Sequence, residues 1–391
     1  MTASTTYLGK VVDVSAGQPA PKSIDFSDNG FPFIRAGSLE GLLSGQTEDD
    51  CEKIDAETAR RYRMKLYPKD TILFAKSGMS AKIGRVYRLR QPAYVVSHLA
   101  ALAPIGKYEP SYLAHWLRAN PPSRLIKDDA YPSIRTSEVS SLEVPNLHID
   151  EQRRIAAILD KADAIRRKRE HAIYLADDFL KSVFVEMFGR PKQPNPVLKT
   201  RPLGEICDLF AGNSLPTGEP FSEQDGGHLL LKVGDLNLPG NEQTVMSARE
   251  WVSERAKTGA AIVAPKDAIV FPKRGGAIAT NKKRVLGRSC ILDPNLMAVA
   301  PKKQSVVSYP YLRVWFEMLD LASISNGSTV PQLNKGDLYP LEMQIPDEDN
   351  LYAFDRMFHA VNRAYARHAD DLVSAEALFS SLSQRAFRGE L

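Results

Sequence analysis

The longest uninterrupted helical pattern in the chain runs from Asp150 to Gly189 and contains no proline and no internal glycine. Its apolar residues recur at the three- and four-residue spacing of a single helical face. Acidic side chains at Asp150 and Glu151 suit the start of a helix, and Gly189 suits its end. Such a helix would be roughly 55 Å long. That is too long for the interior of a compact domain, so we expect it to protrude and pack against a partner helix.

The same apolar pattern returns 199 residues later in the chain, where Phe354 takes the place of Ile155. Two copies of one stripe can pair as a coiled coil. The alternative is two unrelated amphipathic helices, each packed on its own domain. The predicted core of the helix pair consists of Ile155, Ile158, Ala162, Ile165, Phe179, Phe354, Met357, Val361, Leu372 and Leu378.

The segments that precede the two helices are also related to each other. Leu8–Gly17 matches Leu203–Gly212 at a shift of 195 residues, and Pro68–Asp70 matches Pro265–Asp267 at a shift of 197. Trp116 matches Trp315 at 199. A preserved order with a small drift in the shift indicates a duplicated domain with altered loops.

The predicted fold class is therefore α+β, with two homologous mixed α/β domains separated by two long helices that form an antiparallel coiled coil with pseudo-twofold symmetry. The chain has 391 residues, which is enough for several proper cores. We place the first globular domain at residues 1–147, the central long helix at 148–189, a linker at 190–202, the second globular domain at 203–346 and the second long helix at 347–391.

Positive charge is concentrated at equivalent places in the two domains, although the whole chain carries a net charge of only +4. Arg60 to Arg90 holds ten Lys or Arg and one acid, Asp70. Pro265 to Arg288 holds seven Lys or Arg and one acid, Asp267. A single such run is usually a solvated face. Two at matched positions favour a polyanionic partner, whose phosphates they would neutralise.

Bases are read by forked or amide side chains on loops, while phosphate contacts position the protein. A plain surface role remains open for each candidate. In the first domain the candidates for DNA contact are Arg35, Lys76, Ser77, Lys82, Arg85, Ser133 and Arg135. In the second they are Lys232, Lys273, Arg274, Asn281, Lys282, Gln332 and Asn334.

No catalytic, metal or cofactor constellation is recognisable in the sequence. Asn120–Ser123 lacks the aromatic residue of an adenine methyltransferase motif, and the seven histidines are scattered. Cys51, Cys207 and Cys290 are far apart, which argues against a zinc knuckle or a disulfide framework and fits a reducing cytoplasm. No segment has the length and apolarity of a membrane span, and Met1–Lys10 does not have the pattern of a signal peptide. We expect a chain without catalytic residues, metal or cofactor of its own.

Two motifs and the duplication give the chain its resemblance to a known family. Glu151–Asp160 (EQRRIAAILD) opens the central helix, and Ser383–Leu391 (SQRAFRGEL) lies in the second. The chain resembles the specificity subunit of a Type I restriction-modification system over its whole length. It departs from that family at Asp349–Leu351, where the second helix lacks the Glu-Gln-Arg opening.

The resemblance implies that residues 1–147 and 203–346 are target recognition domains, each reading one half of a bipartite double-stranded DNA site. The helix pair would set the spacer and dock two modification (methyltransferase) subunits, and through them the restriction motor subunits. S-adenosylmethionine would belong to the methyltransferase partner, and ATP and magnesium to the restriction partner. The alternatives are a structural adaptor whose coiled coil recruits proteins and a stand-alone DNA-modifying enzyme.

Overall fold

The computed structural model describes residues 4–106, 108–255, 261–327 and 330–391. The chain divides into two compact units. Unit 1 comprises Met1–Ile173 and Arg367–Leu391, and unit 2 comprises Tyr174–Ala366. Each unit therefore contains one globular domain together with a part of each long helix.

The first half of the chain alternates short strands with helices and ends in a long helix. Its strands are β1 (Thr5–Tyr7), β2 (Val12–Ala16), β3 (Phe31–Ile34), β4 (Lys53–Ile54), β5 (Ile72–Ala75), β6 (Val86–Arg88), β7 (Tyr94–Val95), β8 (Leu99–Pro104) and β9 (Glu143–Pro145). Its helices are α1 (Ser38–Leu43), α2 (Ala56–Arg61), α3 (Met79–Ile83), α4 (Pro110–Ala119), α5 (Thr136–Ser140) and α6 (Ile149–Phe188). Single 3-10 turns lie at Leu8–Lys10, Ser23–Asp25, Glu48–Asp50 and Pro122–Leu125.

The second half repeats this order with extra short strands. Its strands are β10 (Gly189–Arg190), β11 (Gln193–Pro194), β12 (Lys199–Pro202), β13 (Cys207–Ala211), β14 (Glu219–Pro220), β15 (Gly227–Leu231), β16 (Thr244–Val245), β17 (Glu250–Ser253), β18 (Val263–Ala264), β19 (Ile269–Pro272), β20 (Arg284–Leu286), β21 (Cys290–Leu292), β22 (Leu296–Pro301) and β23 (Glu342–Ile345). Its helices are α7 (Leu203–Ile206), α8 (Tyr309–Met318), α9 (Lys335–Leu338) and α10 (Glu348–Arg388). The 3-10 turns are Val233–Asn237, Gly275–Thr280 and Ala322–Ile324.

Both units are built around the same antiparallel sheet. Its strand order is β2-β8-β5-β6 in unit 1 and β13-β22-β19-β20 in unit 2, where β16 extends the edge. The central strands β8 and β22 are almost continuous apolar runs, as expected for strands that are covered on both faces. A parallel pair, β3 with β7 and β15 with β21, recurs in the second sheet. The matched topology confirms the predicted duplication.

One pair of glycines shows how closely the two folds correspond. A Cβ atom on Gly17 would lie 2.2 Å from the carbonyl oxygen of Val96, and one on Gly212 would lie 1.9 Å from that of Asp293. Neither position has room for a side chain. In both units the end of the first sheet strand passes directly against a backbone, so glycine is required there.

Within each unit, a part of α6 packs against a part of α10. In unit 1, Arg169 forms an ion pair with Asp371 at 3.1 Å, and Arg154 donates to the carbonyl of Leu391 at 2.7 Å. Partner numbers in α10 thus rise as those in α6 fall, which is the antiparallel arrangement. In unit 2, the ring of Phe354 lies 5.5 Å from the rings of both Phe184 and Phe188.

The predicted helix core needs correction at three positions. Ile165 is 42% exposed, and Phe179 and Leu378 are each 50% exposed. Ile155, Ala162 and Phe354 are buried, while Ile158, Met357, Val361 and Leu372 are half-buried. A seven-residue repeat drifts by about 20° per heptad around a straight helix, so the positions that follow 158 in this repeat, at 165 and 179, leave the contact face. In the last part of α6 the buried positions instead recur every four residues, at Leu180, Phe184 and Phe188.

The stretch expected to be a linker, residues 190–202, is partly structured. Strand β12 pairs antiparallel with β23, Lys199 facing Ile345 and Pro202 facing Glu342. This repeats the pairing of β1 with β9 in unit 1. Across the described ranges, no helix combines the length and the apolarity that a membrane crossing would need.

Candidate nucleic-acid interface

Unit 1 brings two of its candidate segments together at the end of β5. The amide of Gly78 donates to the carbonyl of Pro132 at 3.0 Å, and the amide of Ile134 donates to the carbonyl of Lys76 at 2.7 Å. Ser77 and Ser133 therefore lie opposite each other in an isolated antiparallel bridge. We call this pair of hydrogen bonds, together with its counterpart in unit 2, the cross-loop bridge.

Unit 2 forms the cross-loop bridge with the same geometry and different side chains. The amide of Gly275 donates to the carbonyl of Pro331 at 2.8 Å, and the amide of Leu333 donates to the carbonyl of Lys273 at 2.9 Å. Arg274 thus faces Gln332 where unit 1 has Ser77 facing Ser133. The bridge consists of main-chain bonds only, so its shape does not depend on which side chains it displays.

Both bridges depend on a glycine with a left-handed backbone. Gly78 has φ of +74° and Gly275 has φ of +72°. Residues with a Cβ rarely adopt this conformation, and glycine adopts it freely. The turn lets the chain leave the sheet strand and at once meet the second loop, which leaves Ser77 half-buried and Arg274 exposed.

The two bridges present different chemistry. Ser133 and Arg135 are exposed in unit 1. Arg274 and Asn334 are exposed in unit 2, where Gln332 donates its amide to the Asn334 side-chain oxygen at 2.9 Å. Arginine forks and carboxamides are the side chains that read guanine and adenine, while hydroxyls discriminate less.

A short helix begins immediately after each bridge. The backbone amide of Arg135 donates to Glu138 at 3.4 Å, and that of Asn334 donates to Asp337 at 2.7 Å. A hydrogen bond from Lys127, together with the amide of Arg135, holds the pKa of Glu138 below its ordinary value. These carboxylates fix the backbone from which Arg135 and Asn334 project.

Lys273 is not the surface contact that its sequence position suggested. Its side chain is only 9% exposed and donates to the carbonyl of Gly212 at 3.3 Å. Burial and the neighbouring Arg274 lower its pKa. Lys273 therefore anchors the loop from inside, and Arg274 carries the exposed charge.

Four other predicted cations are paired with acids of their own unit. Arg35 with Glu52 at 2.5 Å and Lys232 with Glu250 at 2.8 Å are equivalent pairs after matched strands. The two remaining pairs are both in unit 1, and they join Lys82 to Asp129 at 2.8 Å and Arg85 to Glu40 at 3.0 Å. Carboxylates of the same unit therefore partly neutralise these four cations even without a bound polyanion.

Asn281 and Lys282 make internal contacts near the bridge of unit 2. The side-chain oxygen of Asn281 accepts from the Leu321 amide at 3.0 Å and from Lys283 at 2.9 Å. Lys282 donates to the side chain of Asn237. Asn281 is thus a turn residue with φ of +51°, and its amide oxygen is already used.

Sequence reasoning missed the exposed apolar side chains beside the bridge of unit 1. Tyr131 is 82% exposed, Met79 is 68% exposed and Ile83 is 57% exposed. The sequence did offer a signal for them, which was the presence of large apolar residues in polar, basic loops. In unit 2 the matched positions hold Val330, Gly276 and Thr280, of which Val330 is 63% exposed.

The described residues contain no group of three or more His, Cys, Asp or Glu side chains arranged to hold a metal ion. Burial raises the pKa of the Cys207 thiol to about 12 and that of Cys290 further. Both thiols are therefore protonated at neutral pH and are poor nucleophiles.

Comparison with known proteins finds a family model that matches part of the chain. Residues 4–174 match the model of the Type I restriction modification DNA specificity domain. A specificity subunit, that of the Type I restriction enzyme MjaIX from Methanocaldococcus jannaschii, is 33% identical over 96 residues. That alignment covers 24% of this chain and 22% of the relative. The resemblance to specificity subunits that was inferred from the sequence is confirmed.

The likeness in fold extends over the whole chain. The structure of the Type I restriction-modification S subunit from M. genitalium aligns with a TM-score of 0.57, covering 99% of this chain and 96% of that one. Sequence identity is 12%, so the alignment shows a shared fold alone. It confirms the predicted fold class for the half of the chain beyond the specificity domain.

Proposed function

We propose that this chain is the DNA-reading, non-catalytic subunit of a Type I restriction-modification complex, and that each unit reads one half of a bipartite target. The observation that supports it best is the duplicated cross-loop bridge. Two frames of the same main-chain geometry carry Ser77 and Ser133 in one unit and Arg274 and Gln332 in the other. A shared frame with different side chains suits two readers of different sequences.

The partners follow from the same proposal. The paired long helices would dock two modification subunits, which carry S-adenosylmethionine and methylate adenine, and through them the restriction subunits, which use ATP and magnesium. Recognition of the DNA sequence and catalysis would thus be carried out by different chains. The complex would act on double-stranded DNA in the cytoplasm.

Mapping of adenine methylation tests the proposal in a host that carries this chain with its modification subunit. We expect one bipartite motif. Replacement of residues 1–147 by the matching segment of another specificity subunit should change one half of the motif, and replacement of residues 203–346 should change the other. Two results would contradict the proposal: methylation of DNA by this chain without any partner, or a methylated motif that is continuous and not divided into two halves.

A second arm tests the role of the helices. Insertion of four residues after Ala172 should alter the number of unread bases between the halves and leave both halves as they were. The control is a four-residue insertion in the exposed loop at Gly240, which should change neither. A spacer that is the same in all three proteins would mean that the helix pair does not set it.

A further inference from the structure

Unit 1 contains a polar cavity of about 440 Å³ beside α4 and the first part of α6. Three acidic side chains line it together with five cationic ones, which are Lys69, Arg88, Arg90, Arg118 and Arg167. We propose that this cavity is a binding site for a phosphate-bearing ligand. The site lies apart from the cross-loop bridge, and the inference does not depend on the proposed DNA-reading function.

The three carboxylates of the cavity are already bonded to groups of unit 1. Asp160 accepts from the Ser111 hydroxyl at 2.6 Å and lies 2.8 Å from the His115 ring. Asp70 pairs with Arg88 at 3.3 Å. Burial lowers the pKa of His115, so its ring is neutral at pH 7 and adds no charge. These acids are held in place and are not available to neutralise further cations.

The third carboxylate, Asp163, is outnumbered by its cationic neighbours. Its oxygens lie 2.6 Å from Arg167, 3.0 Å from Arg166 and 3.6 Å from Arg118. Three guanidinium groups surround this carboxylate, and one of them, that of Arg166, also pairs with Glu170 at 3.2 Å. The Arg118 side chain is only 24% exposed, so water screens its charge weakly. An anion that entered the cavity would relieve this local excess of positive charge.

Two further cations stand at the rim of the cavity. Lys69 and Arg90 are exposed, and neither forms an ion pair with any residue that the structure describes. Arginine offers several N–H donors in a planar fork that matches phosphate oxygens, and lysine adds a point charge. The cavity thus combines inward guanidinium groups with free cations at its mouth, which is the chemistry that recognises phosphate.

Unit 2 lacks this site although its fold is the same. At the matched positions Arg118 is replaced by Glu317, Arg167 by Ala366 and Asp163 by Asn362. Glu317 there accepts from Arg313 at 3.0 Å, so the position of Arg118 carries a negative charge in unit 2. Only the rim lysine has an equivalent, Lys266, which is exposed. The fold does not require the cationic cluster, and unit 2 supplies an internal control.

Calorimetric titration of the full chain with inorganic pyrophosphate tests the proposal. We expect one bound pyrophosphate per chain, with binding that weakens as sodium chloride rises from 50 to 200 mM because screening increases. K69Q and R90Q should each weaken binding about tenfold, the effect of losing one charge-assisted contact. K266Q, the matched change in unit 2, should bind as the wild type does. Unchanged melting temperatures would show that all three variants are folded.

Competition then distinguishes the sources of phosphate. Displacement of pyrophosphate by a 12-base-pair duplex would identify a DNA backbone phosphate, and displacement by ATP alone would identify a free nucleotide. Both outcomes support the site. Equal displacement by a poly-glutamate peptide, absence of binding, or equal weakening by K266Q and K69Q would overturn it. Because this experiment measures pyrophosphate binding and the domain replacements measure the methylated motif, failure here is distinct from failure of the DNA-reading proposal.

Discussion

Unit 1 and unit 2 hold the same cross-loop bridge but use charge differently. In unit 2 the bridge itself carries an exposed arginine, Arg274, and the neighbouring lysine is buried beneath it. In unit 1 the bridge carries serines, and three arginines surround Asp163 of α6. Duplication therefore preserved the backbone frame while the placement of cations diverged. The frame and the charges can be perturbed separately, and the following substitutions do so.

The largest effect should follow from removal of a helix-core ring in unit 2. Phe354 is fully buried between Phe184 and Phe188, so F354A should lower the free energy of unfolding by about 4 kcal/mol, through lost burial and the cavity left behind. F179A removes the same atoms from a half-exposed position of unit 2 and should cost less than about 1 kcal/mol. Urea denaturation measures both. Equal losses would mean that the observed contact face is wrong.

The charge cluster of unit 1 should give the next largest effect. Burial acts to raise the pKa of Asp163, but bonds and charges from Arg167, Arg118 and Arg166 outweigh it and hold the pKa below the ordinary 3.8. The ionised form therefore stabilises the folded state above that pH, and this contribution is lost as pH falls through the folded pKa. D163N should cost about 2 kcal/mol at pH 7.

Acid titration of stability checks the sign of that effect. The difference between D163N and the wild type should shrink as pH falls below 4, because the native carboxylate is then protonated too. N362D places a carboxylate at the matched position of unit 2, where Glu317 and Ala366 stand in place of Arg118 and Arg167, and should give no added stability at pH 7. A difference that persists unchanged to pH 2 would show that charge is not its cause.

A smaller and more local effect should separate the two bridges. R274A removes the exposed fork from unit 2 and should weaken recognition of one half-site about tenfold, the effect of one lost base contact. S77A should weaken recognition of the other half-site less, because a hydroxyl contributes less to discrimination. Methylation rates on targets with single-base changes in each half measure this. Equal losses in both halves from R274A would contradict the assignment of one unit to one half.

The smallest effect should come from the matched ion pairs that the units share. Arg35 with Glu52 and Lys232 with Glu250 are each about two-fifths exposed, so solvent screens them. R35Q and K232Q should each change the free energy of unfolding only slightly. Both differences should fade in high salt. A cost comparable to that of F354A in either would show that the pair contributes more than its exposure indicates.

The sequence was sufficient to predict whatever depends on order along the chain. The duplicated motifs at Leu8–Gly17 and Leu203–Gly212 located the two sheets, and an uninterrupted apolar pattern located α6. The same comparison brought positions 77 and 274 to attention, because the loops differed where the flanking residues agreed.

What depends on tertiary approach was not predictable from one sequence. Lys82 comes next to Asp129, and Arg85 next to Glu40, only when the chain folds. The sequence alone therefore suggested unpaired cations where the structure has ion pairs. The burial of Lys273 beside Gly212 also arises from a contact distant in sequence. The cluster around Asp163 had a visible signal, arginines three and four residues later on one helix, but Arg118 joins it from another element.

The cross-loop bridge has a consequence for how such a protein can change. Peptide groups alone make its hydrogen bonds. Point mutations at 77, 133, 274 and 332 can therefore change the side chains of the bridge while the loops stay where they are. Under the proposed function, a shift in preference for bases at one end of the target would then require no compensating substitution, and the other end would be inherited intact. New targets would accordingly arise in single mutational steps, one half at a time.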